Sequence, residues 1–455
     1  MNLKGKKVLV VGFGKTGEAL CDFLLTCKAR VTVSEIRDNE DLSKRIIPWR
    51  KRGITFESGS HELKTFLGSD IIVTSPGVPP LPHFREAKTK GIQVISEIEL
   101  AYRFLHGKII GITGSNGKST TTTLIHKILK EAGLSSKIAG NIGHPLISFV
   151  EESREDDWYV TELSSFQLEH IINFQAAISV FLNLSPDHLD WHSSFDDYFR
   201  AKTKLITAQK SDDFAVLNRD DPKIWSLSTS GNFNVFPFSR KQTLTYGCYL
   251  EKDRIILAGE KSRKLMKVTD IPLKGSHNQE NVMAAAGVAH VLNIPLNSIK
   301  KSVLNFKALE HRLEKVLTLK GIEFFNDSKA TNVDAAITAL KSFNQKLILI
   351  LGGRDKGGDF TTLKDLVRNK VKKIILIGEA APLIRKALNK TVPMEDAGSL
   401  QGAVEQGFKA ASPGDVVLLA PACTSFDMFR NFEERGHIFK HTVFALKEKI
   451  SVKED

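Results

Sequence analysis

Cysteine is scarce. The 455-residue chain has four, Cys21, Cys27, Cys248 and Cys423, with no C-x-x-C pair and no zinc-like spacing. That argues against a disulfide framework and fits a reducing compartment. Long apolar runs are also lacking. None approaches the roughly 18 to 20 residues needed to span a bilayer, so no membrane insertion is expected. Lys4, Lys6 and Lys7 precede an apolar stretch, but residues 8–11 are too few for a signal-peptide core and run into glycines. A cytoplasmic protein is expected. No internal repeat and no low-complexity tract interrupts the chain. No helix-turn-helix, zinc-finger or RNA-recognition aromatic motif is present, so no nucleic-acid partner is expected.

What is there is ordinary globular material, 42% hydrophobic and 25% charged. At roughly 150 residues per domain, the length predicts two or three domains. The 64 basic and 52 acidic residues give a net charge of +12. No long basic block accounts for it; clusters such as Lys370, Lys372 and Lys373 are short. The charge fits a solvated surface, or clefts that hold anionic metabolites.

Patterning predicts an α/β protein. Residues 8–11 are continuously apolar and β-branched, as a buried parallel strand requires, and 16–25 follow as a helix. Strands are expected near 30–34, 53–56, 70–74 and 92–95, then a helix over 98–105 capped at Ser96. A second segment opens at Lys108, with strands near 158–161 and 177–182 and a helix over 196–208. A strand-rich stretch over 228–272 follows, then a helix over 279–292, with 293–306 as a candidate boundary. A third segment has strands at 346–351, 373–377 and 415–419 and a terminal helix over 431–447. The expected domains are 1–106 and 308–455, both Rossmann-like, around a central phosphate-loop domain with a parallel sheet at 107–307.

Two glycine-rich turns carry chemistry. Gly12, Gly14 and Gly17 form G-x-G-x-x-G between a strand and a helix, and Glu35 ends the next strand. This pattern admits a dinucleotide or nucleotide-diphosphate site, or only tight strand-to-helix packing. The second turn, 113–119, follows the strand at Lys108 and opens a helix. There the backbone amides of Gly114, Ser115, Asn116 and Gly117 can cradle phosphates. Lys118 can reach the terminal phosphates, and the hydroxyls of Ser119 and Thr120 stand where one can hold Mg²⁺. The usual G-x-x-x-x-G-K-[ST] spacing fails by one residue: Ile112 stands where the first glycine belongs and Gly111 comes one too early. Glu162 ends a strand and His188 lies just past another. A carboxylate and an imidazole at the carboxyl edge of a parallel sheet, beside a phosphate loop, point to metal ligands.

The third segment has polar clusters at 326–332, 352–356 and 421–427, each after a strand. Parallel sheets place their ligand loops there, and two of the clusters carry a lysine, which suits an anionic substrate. Cys423 lies in the last cluster. With no histidine near it in sequence, small-residue packing fits it better than nucleophilic catalysis.

T-G-S-N-G-K-S-T, E-L-S-S-F-Q-L-E, S-P-D-H-L-D, G-S-H-N-x-x-N, H-R-L-E, N-D-S-K-A-T-N and P-A-C-T-S-F-D-M-F-x-N-F-E-E-R-G occur in that order. Over essentially the whole chain this resembles the Mur ligase family of peptidoglycan synthesis. The resemblance implies ATP-dependent amide formation: D-glutamate is joined to UDP-N-acetylmuramoyl-L-alanine through an acyl phosphate, by a monomer. It implies Glu162 and His188 as ligands of two magnesium ions, with Lys202 carbamylated to supply another oxygen ligand. Asn141 would contact substrate near the reacting centre. Asn278, Asn281, Arg312, Asp327 and Lys329 would serve ATP. Thr331, Lys356, Ser425 and Phe432 would serve D-glutamate. Lys15, Thr16 and Arg37, with Ser75, Pro76 and Gly77, would line a UDP site in the first domain. The ordering of motifs implies closure of the third domain on the others during turnover.

Three alternatives remain at this stage. Gly12, Gly14, Gly17 and Glu35 could belong to a nicotinamide-dependent dehydrogenase, which leaves two domains unexplained. A degenerate ligase fold could bind ATP as a regulatory scaffold. An L-glutamate-adding ligase or a folylpolyglutamate synthetase-like ligase would keep the mechanism with another substrate.

Overall fold

A computed structural model describes residues 1–188 and 191–451. Three sheets carry the fold. The first has β1 (Lys7–Val11), β2 (Arg30–Glu35), β3 (Thr55–Ser58), β4 (Ile71–Thr74) and β5 (Gln93–Ser96) in the order β3-β2-β1-β4-β5, all parallel. Val8 to Val11 of β1 are buried, as a strand covered on both faces must be. The order reverses beside β1, so its switch point lies between the ends of β1 and β4. There the Ser75 hydroxyl donates to the Gly12 carbonyl at 3.0 Å.

The second sheet has β6 (Lys108–Thr113), β7 (Ser136–Gly140), β8 (Trp158–Glu162), β9 (Ile178–Phe181), β10 (Phe214–Asn218), β11 (Asn234–Ser239), β12 (Gly247–Glu251), β13 (Arg254–Ala258) and β14 (Arg263–Lys267). Their order is β14-β13-β12-β11-β10-β9-β6-β8-β7, and only the β12-β13-β14 edge is antiparallel. β6 sits between β8 and β9, so the loop after it opens beside both strand ends. Gly111 belongs to this strand and not to the loop. A Cβ there would lie 2.9 Å from Leu205 Cδ1, so the residue is a packing glycine.

The third sheet has β15 (Glu314–Leu319), β16 (Ile322–Asn326), β17 (Leu347–Gly352), β18 (Val371–Ile377), β19 (Met394–Asp396) and β20 (Val416–Leu419), in the order β15-β16-β20-β17-β18-β19. All pairs but β15–β16 are parallel. The antiparallel β15 and the short β19 are not signalled by the sequence patterns. Residues 293–306, expected as a boundary, contain the helix Leu296–Leu304 with Ile299 and Val303 buried.

The chain forms two compact units. One comprises Met1–Leu184, Trp191–Val268 and Glu280–Val303; the other comprises Ser185–Asp190, Thr269–Gln279 and Leu304–Asp455. The first unit joins two sheets through the short helix Glu97–Tyr102. Glu99 Oε2 accepts the backbone N–H groups of Ile172, Asn173 and Phe174 at 2.8 to 2.9 Å. Glu97 Oε1 accepts the Ile147 N–H at 2.7 Å. Glu97 is fully buried, and burial raises its pKa from 4.5 to about 7 against the opposing hydrogen bonds of Ile147 and Leu146.

That shift has a sign. Between pH 4.5 and about 7 the folded chain holds a proton on Glu97 that the unfolded chain has released. Its contribution to stability is complete below the lower value and is lost as pH rises through the upper one. Glu97→Gln, which cannot ionise, is expected to remove a decline of up to roughly 3 kcal/mol between pH 5 and 8. Thermal midpoints of both proteins across that range check it; parallel curves would contradict the assignment.

Candidate functional site

Gly12 and Gly17 shape the first turn. Gly12 has φ +89, and a Cβ on Gly17 would lie 2.3 Å from the Gly12 carbonyl oxygen, so only hydrogen fits. Lys15 and Thr16 then open the helix Lys15–Thr26. Glu35 turns inward. Oε2 accepts the Phe13 N–H at 2.7 Å and Arg37 Nη2 at 2.9 Å, while Oε1 accepts Arg37 Nε at 3.0 Å. Burial pushes its carboxyl up, but the Arg37 and backbone hydrogen bonds outweigh that and hold it down to about 2. A carboxylate so engaged is closing the loop, which removes the ribose-binding role a dehydrogenase would ask of it. Arg37 keeps an exposed flank at the same turn. Ser75 meets Gly12 across the switch point, with Pro76 and Gly77 following it in the chain. The structure therefore brings together the residues expected for a nucleotide-diphosphate ligand.

The second turn has a dense frame. Gly114 has φ +150 and Gly117 has φ +83. Asn116 is clamped by Asn183: its N–H donates to Asn183 Oδ1 at 2.8 Å, and its carbonyl accepts Asn183 Nδ2 at 3.0 Å. The Ser115 N–H donates to the Asn183 carbonyl at 3.0 Å. Ser115 Oγ lies 3.1 Å from the Tyr198 hydroxyl. Lys118 folds back and donates to the carbonyls of Gly114 and Ser115, both at 2.8 Å. Ser119 and Thr120 follow in the first turn of the helix Lys118–Glu131. Asn281 is buried beneath the turn, its Oδ1 accepting Thr121 Oγ1 at 3.2 Å. A Cβ on Gly117 would stand 2.3 Å from that same oxygen. Asn281 thus supports the loop from below.

Glu162 ends β8 in register with Ile112 of β6, which places its carboxylate at the edge of the loop. It is 2% exposed, and Oε1 accepts Asn141 Nδ2 at 2.7 Å. The Asn141 N–H also donates to the Glu162 carbonyl at 2.9 Å, so one glutamate sets both ends of this asparagine. Lys202, 1% exposed, projects from the helix Phe195–Thr207. Its Nζ donates to the Gly114 carbonyl at 3.0 Å and Thr113 Oγ1 at 3.3 Å, and lies 4.7 Å from the Tyr198 ring centre. Loop, carboxylate, asparagine and buried lysine therefore share one place. The donors are hard oxygens from Ser119 and Glu162, which fit a divalent cation of the magnesium type.

The other unit holds the remaining candidates. β16, β20 and β17 are neighbours, so the loops after them meet at one sheet edge. Arg354 and Thr424 exchange backbone hydrogen bonds at 3.0 and 2.9 Å. Arg435, fully buried, donates to Ser328 Oγ, to the Ser328 carbonyl and to the carbonyls of Cys423 and Thr424 at 2.8 to 3.1 Å. Burial lowers its pKa to about 10, where it remains cationic at neutral pH. This arginine fixes the loops that carry Asp327, Lys329, Thr331 and Ser425. Burial raises Asp327 to about 7; it accepts the Leu313 N–H at 3.2 Å beside Arg312. Lys329 Nζ lies 3.7 Å from the Phe432 ring centre, and the Phe432 carbonyl accepts Ser328 Oγ at 2.8 Å. Asn278 donates to the Lys274 carbonyl at 2.7 Å.

His188 has φ +55 and donates its N–H to Asp187 Oδ1 at 2.9 Å. Asp187 Oδ2 accepts Asn332 Nδ2 at 2.9 Å, and Lys356 Nζ lies 3.9 Å from Oδ1. Leu189 and Asp190, the end of the S-P-D-H-L-D motif, lie outside the described residues. Burial pushes the Cys423 thiol up to about 12, so it is no nucleophile. Among the described residues, Glu310, His311 and His437 group their ligand atoms within 4.8 Å. Lys440 Nζ holds Glu310 at 2.7 Å and Asn326 Nδ2 donates to His311 Nδ1 at 2.9 Å, so neighbouring side chains already engage two of the three.

Asn183, Tyr198, Asp187 and Arg435 were missed in the sequence as site residues. Arg435 stands in a quoted motif, and Tyr198 lies four residues before Lys202, the helical spacing that shares a face. For Asn183 no local signal exists.

Among the described residues no helix is long and apolar enough to cross a membrane. Three family models match the chain: the MurD-like N-terminal domain of Mur ligases over 6–96, the Mur ligase middle domain over 112–289 and the Mur ligase glutamate ligase domain over 311–423. The UDP-N-acetylmuramoylalanine–D-glutamate ligase of Acidobacterium capsulatum is 47% identical over 449 residues, covering 98% of this chain and 97% of that one. The enzyme of the same name from Koribacter versatilis is 45% identical, covering 99% of both. A solved pseudomurein peptide ligase type C from Methanothermus fervidus shares the fold, with a TM-score of 0.63 at 20% identity over 97% of this chain and all of that one. With all three domains matched in order and full-length relatives at this identity, the chain belongs to the Mur ligase family.

Proposed function

We propose that the chain is the ATP-dependent ligase that adds D-glutamate to UDP-N-acetylmuramoyl-L-alanine, yielding ADP and phosphate in cytoplasmic peptidoglycan precursor synthesis. Its carrying observation is the phosphate loop framed by Lys118, Glu162, Asn141 and Lys202, in a chain whose full-length relatives bear that activity in their names. A carboxylate cannot acylate an amine directly, because its leaving group would be oxide. Transfer of the γ-phosphoryl group to the alanyl carboxylate gives an acyl phosphate. The D-glutamate amine attacks that carbonyl, the C–O bond to phosphate breaks, and the amine proton is released.

Each residue has a task in this scheme. The loop amides of Gly114 to Gly117 bind the phosphates, and Lys118 offsets the repulsion between carboxylate and γ-phosphate. Asn141, held by Glu162, orients the alanyl end. Asn278, Arg312, Asp327 and Lys329 serve the nucleotide, with Asn281 supporting the loop. Lys15, Thr16, Arg37 and Ser75 to Gly77 take the UDP portion. Thr331, Lys356, Ser425 and Phe432 take D-glutamate, Lys356 pairing with a carboxylate. Ser119, Glu162, His188 and a carbamylated Lys202 would hold two magnesium ions, which supply charge neutralisation on the phosphates. The enzyme acts as a monomer.

The test is phosphate release from Mg-ATP with UDP-N-acetylmuramoyl-L-alanine and D-glutamate, L-glutamate or no amino acid, with product mass recorded. A product heavier by one glutamate residue with D-glutamate alone is expected. Turnover with L-glutamate alone, or none with either, would overturn the proposal. The Asn183 clamp adds a quantitative expectation. Asn183→Ala removes two hydrogen bonds to the Asn116 backbone and should raise KM for ATP about tenfold, with kcat changed less. An unchanged KM would mean the clamp is dispensable.

A further inference from the structure

Of the proposed D-glutamate residues, Lys356 and Ser425 stand on the loops after β17 and β20. A further turn meets both loops. Residues 378–380 follow β18, the other neighbour of β17 in the sheet, and no sequence motif marks them. The Ala380 N–H donates to the Gly353 carbonyl at 2.8 Å. A Cβ on Gly378, at φ +70, would stand 2.8 Å from Gly353 Cα. A Cβ on Gly353, at φ +134, would stand 2.1 Å from the Thr424 carbonyl oxygen. The turns after β17, β18 and β20 therefore touch backbone to backbone, at two places where only hydrogen fits.

Side chains then fasten these turns. Arg354 Nε and Nη2 each donate to a Glu379 oxygen at 3.0 Å, which joins the β17 loop to the β18 turn. Asp427 joins the β20 loop to the same turn. Its Oδ2 accepts the Glu379 N–H at 2.9 Å, and a Cβ on Gly378 would lie 2.2 Å from that oxygen. Its Oδ1 is buried and has no hydrogen-bond partner among the described residues. An unmet carboxylate oxygen costs free energy, and costs of this kind gather at functional sites. Ser425 is 2% exposed. Thr424 before it exchanges backbone bonds with Arg354, and Asp427 after it is held by Glu379. Ser425 is thus fixed from both sides, relative to the loop that carries Lys356.

We propose that Asp427 is a positioning residue for D-glutamate: through the Glu379 N–H it sets the separation of Ser425 and Lys356, and with it the affinity for the amino acid. The inference rests on the ligase reading and adds to it a residue and a turn that reading does not include. Glutamate carries two carboxylates at a limited separation, so the groups that grip them must stand at a matching distance.

The full-length enzyme is assayed by phosphate release with UDP-N-acetylmuramoyl-L-alanine while D-glutamate and Mg-ATP are varied in turn, with thermal midpoints on the same preparations. Asp427→Ala is expected to raise KM for D-glutamate at least about tenfold, the size of a lost hydrogen bond to a charged group. Its kcat and its KM for ATP should stay within about threefold of wild type, with the midpoint unmoved. Asp427→Asn keeps an oxygen for the Glu379 N–H and should bring KM for D-glutamate back to within about threefold of wild type. Gly378→Ala pushes the same oxygen aside and should copy the Asp427→Ala pattern. An unchanged KM for D-glutamate in Asp427→Ala overturns the proposal. So does a lowered midpoint with both KM values rising together, which makes Asp427 a residue of the fold alone. So does Asp427→Asn as damaging as Asp427→Ala, which puts the charge itself on the substrate. Wild type without D-glutamate-dependent turnover overturns the ligase reading and this inference together; a working wild type with any of those three results overturns this inference alone.

Discussion

Lys118→Met is expected to lower phosphate release by at least about 10³-fold while leaving the fold near wild-type stability. The ammonium bridges the carbonyls of Gly114 and Ser115 across the loop, both at 2.8 Å, and is the cation that the loop itself carries. In the first chemical step two anions must approach, and a fixed positive charge at that point is worth more in the transition state than in the separated reactants. Methionine keeps the length and apolar stem but removes the charge. The Gly114 carbonyl remains bonded, because Lys202 Nζ also donates to it at 3.0 Å. The Ser115 carbonyl loses one partner, at a bond that is only part-buried. Steady-state phosphate release and a thermal midpoint, measured on the same preparation, check both halves. Turnover within tenfold of wild type would remove Lys118 from the reaction; a collapsed midpoint would make it a structural residue.

The split between what sequence conveys and what it does not follows the range of the interactions. Strands such as Leu347–Gly352 and Ile71–Thr74 are buried along their whole length and open with runs of five and three aliphatic residues, and the turns after them carry glycine and polar residues. Both are local properties, so the parallel α/β organisation and the ligand loops are legible. Adjacency of β16, β20 and β17 is not local, because it depends on which strand ends the sheet brings side by side. The same holds for polar residues whose partners are backbone atoms far along the chain. Asn183 meets Asn116 across 67 positions, Arg435 meets the Ser328 carbonyl across 107 and Glu97 meets Ile147 across 50. A buried arginine looks like a surface arginine until its carbonyls are known. Glu35 shows the converse: a residue in the right place for a ribose contact spends its oxygens on Phe13 and Arg37.

Lys202→Met is expected to cost at least about 10³-fold in turnover yet to leave stability unchanged within ~1 kcal/mol, or slightly raised. Lys202 is buried, and burying an ammonium is expensive unless it is well paired. Removal of a buried charge is harmful chiefly when it strands a partner. Here neither the Gly114 carbonyl nor Thr113 Oγ1 is stranded. The Gly114 carbonyl keeps Lys118, and Thr113 Oγ1 still donates to the Leu163 carbonyl at 3.0 Å. Methionine fills nearly the same volume against the Tyr198 ring, with a favourable sulfur–aromatic contact. A lysine kept for the fold alone would show the opposite pattern, with stability falling and turnover following it. A lysine kept for chemistry beside the phosphate loop shows loss of turnover in a protein that unfolds at the wild-type temperature. The proposed carbamate sharpens the contrast. Wild type should lose activity when depleted of carbon dioxide and regain it with bicarbonate, whereas Lys202→Met should ignore both. Wild-type activity indifferent to bicarbonate would leave Lys202 acting as an ammonium and withdraw it from the proposed magnesium ligands.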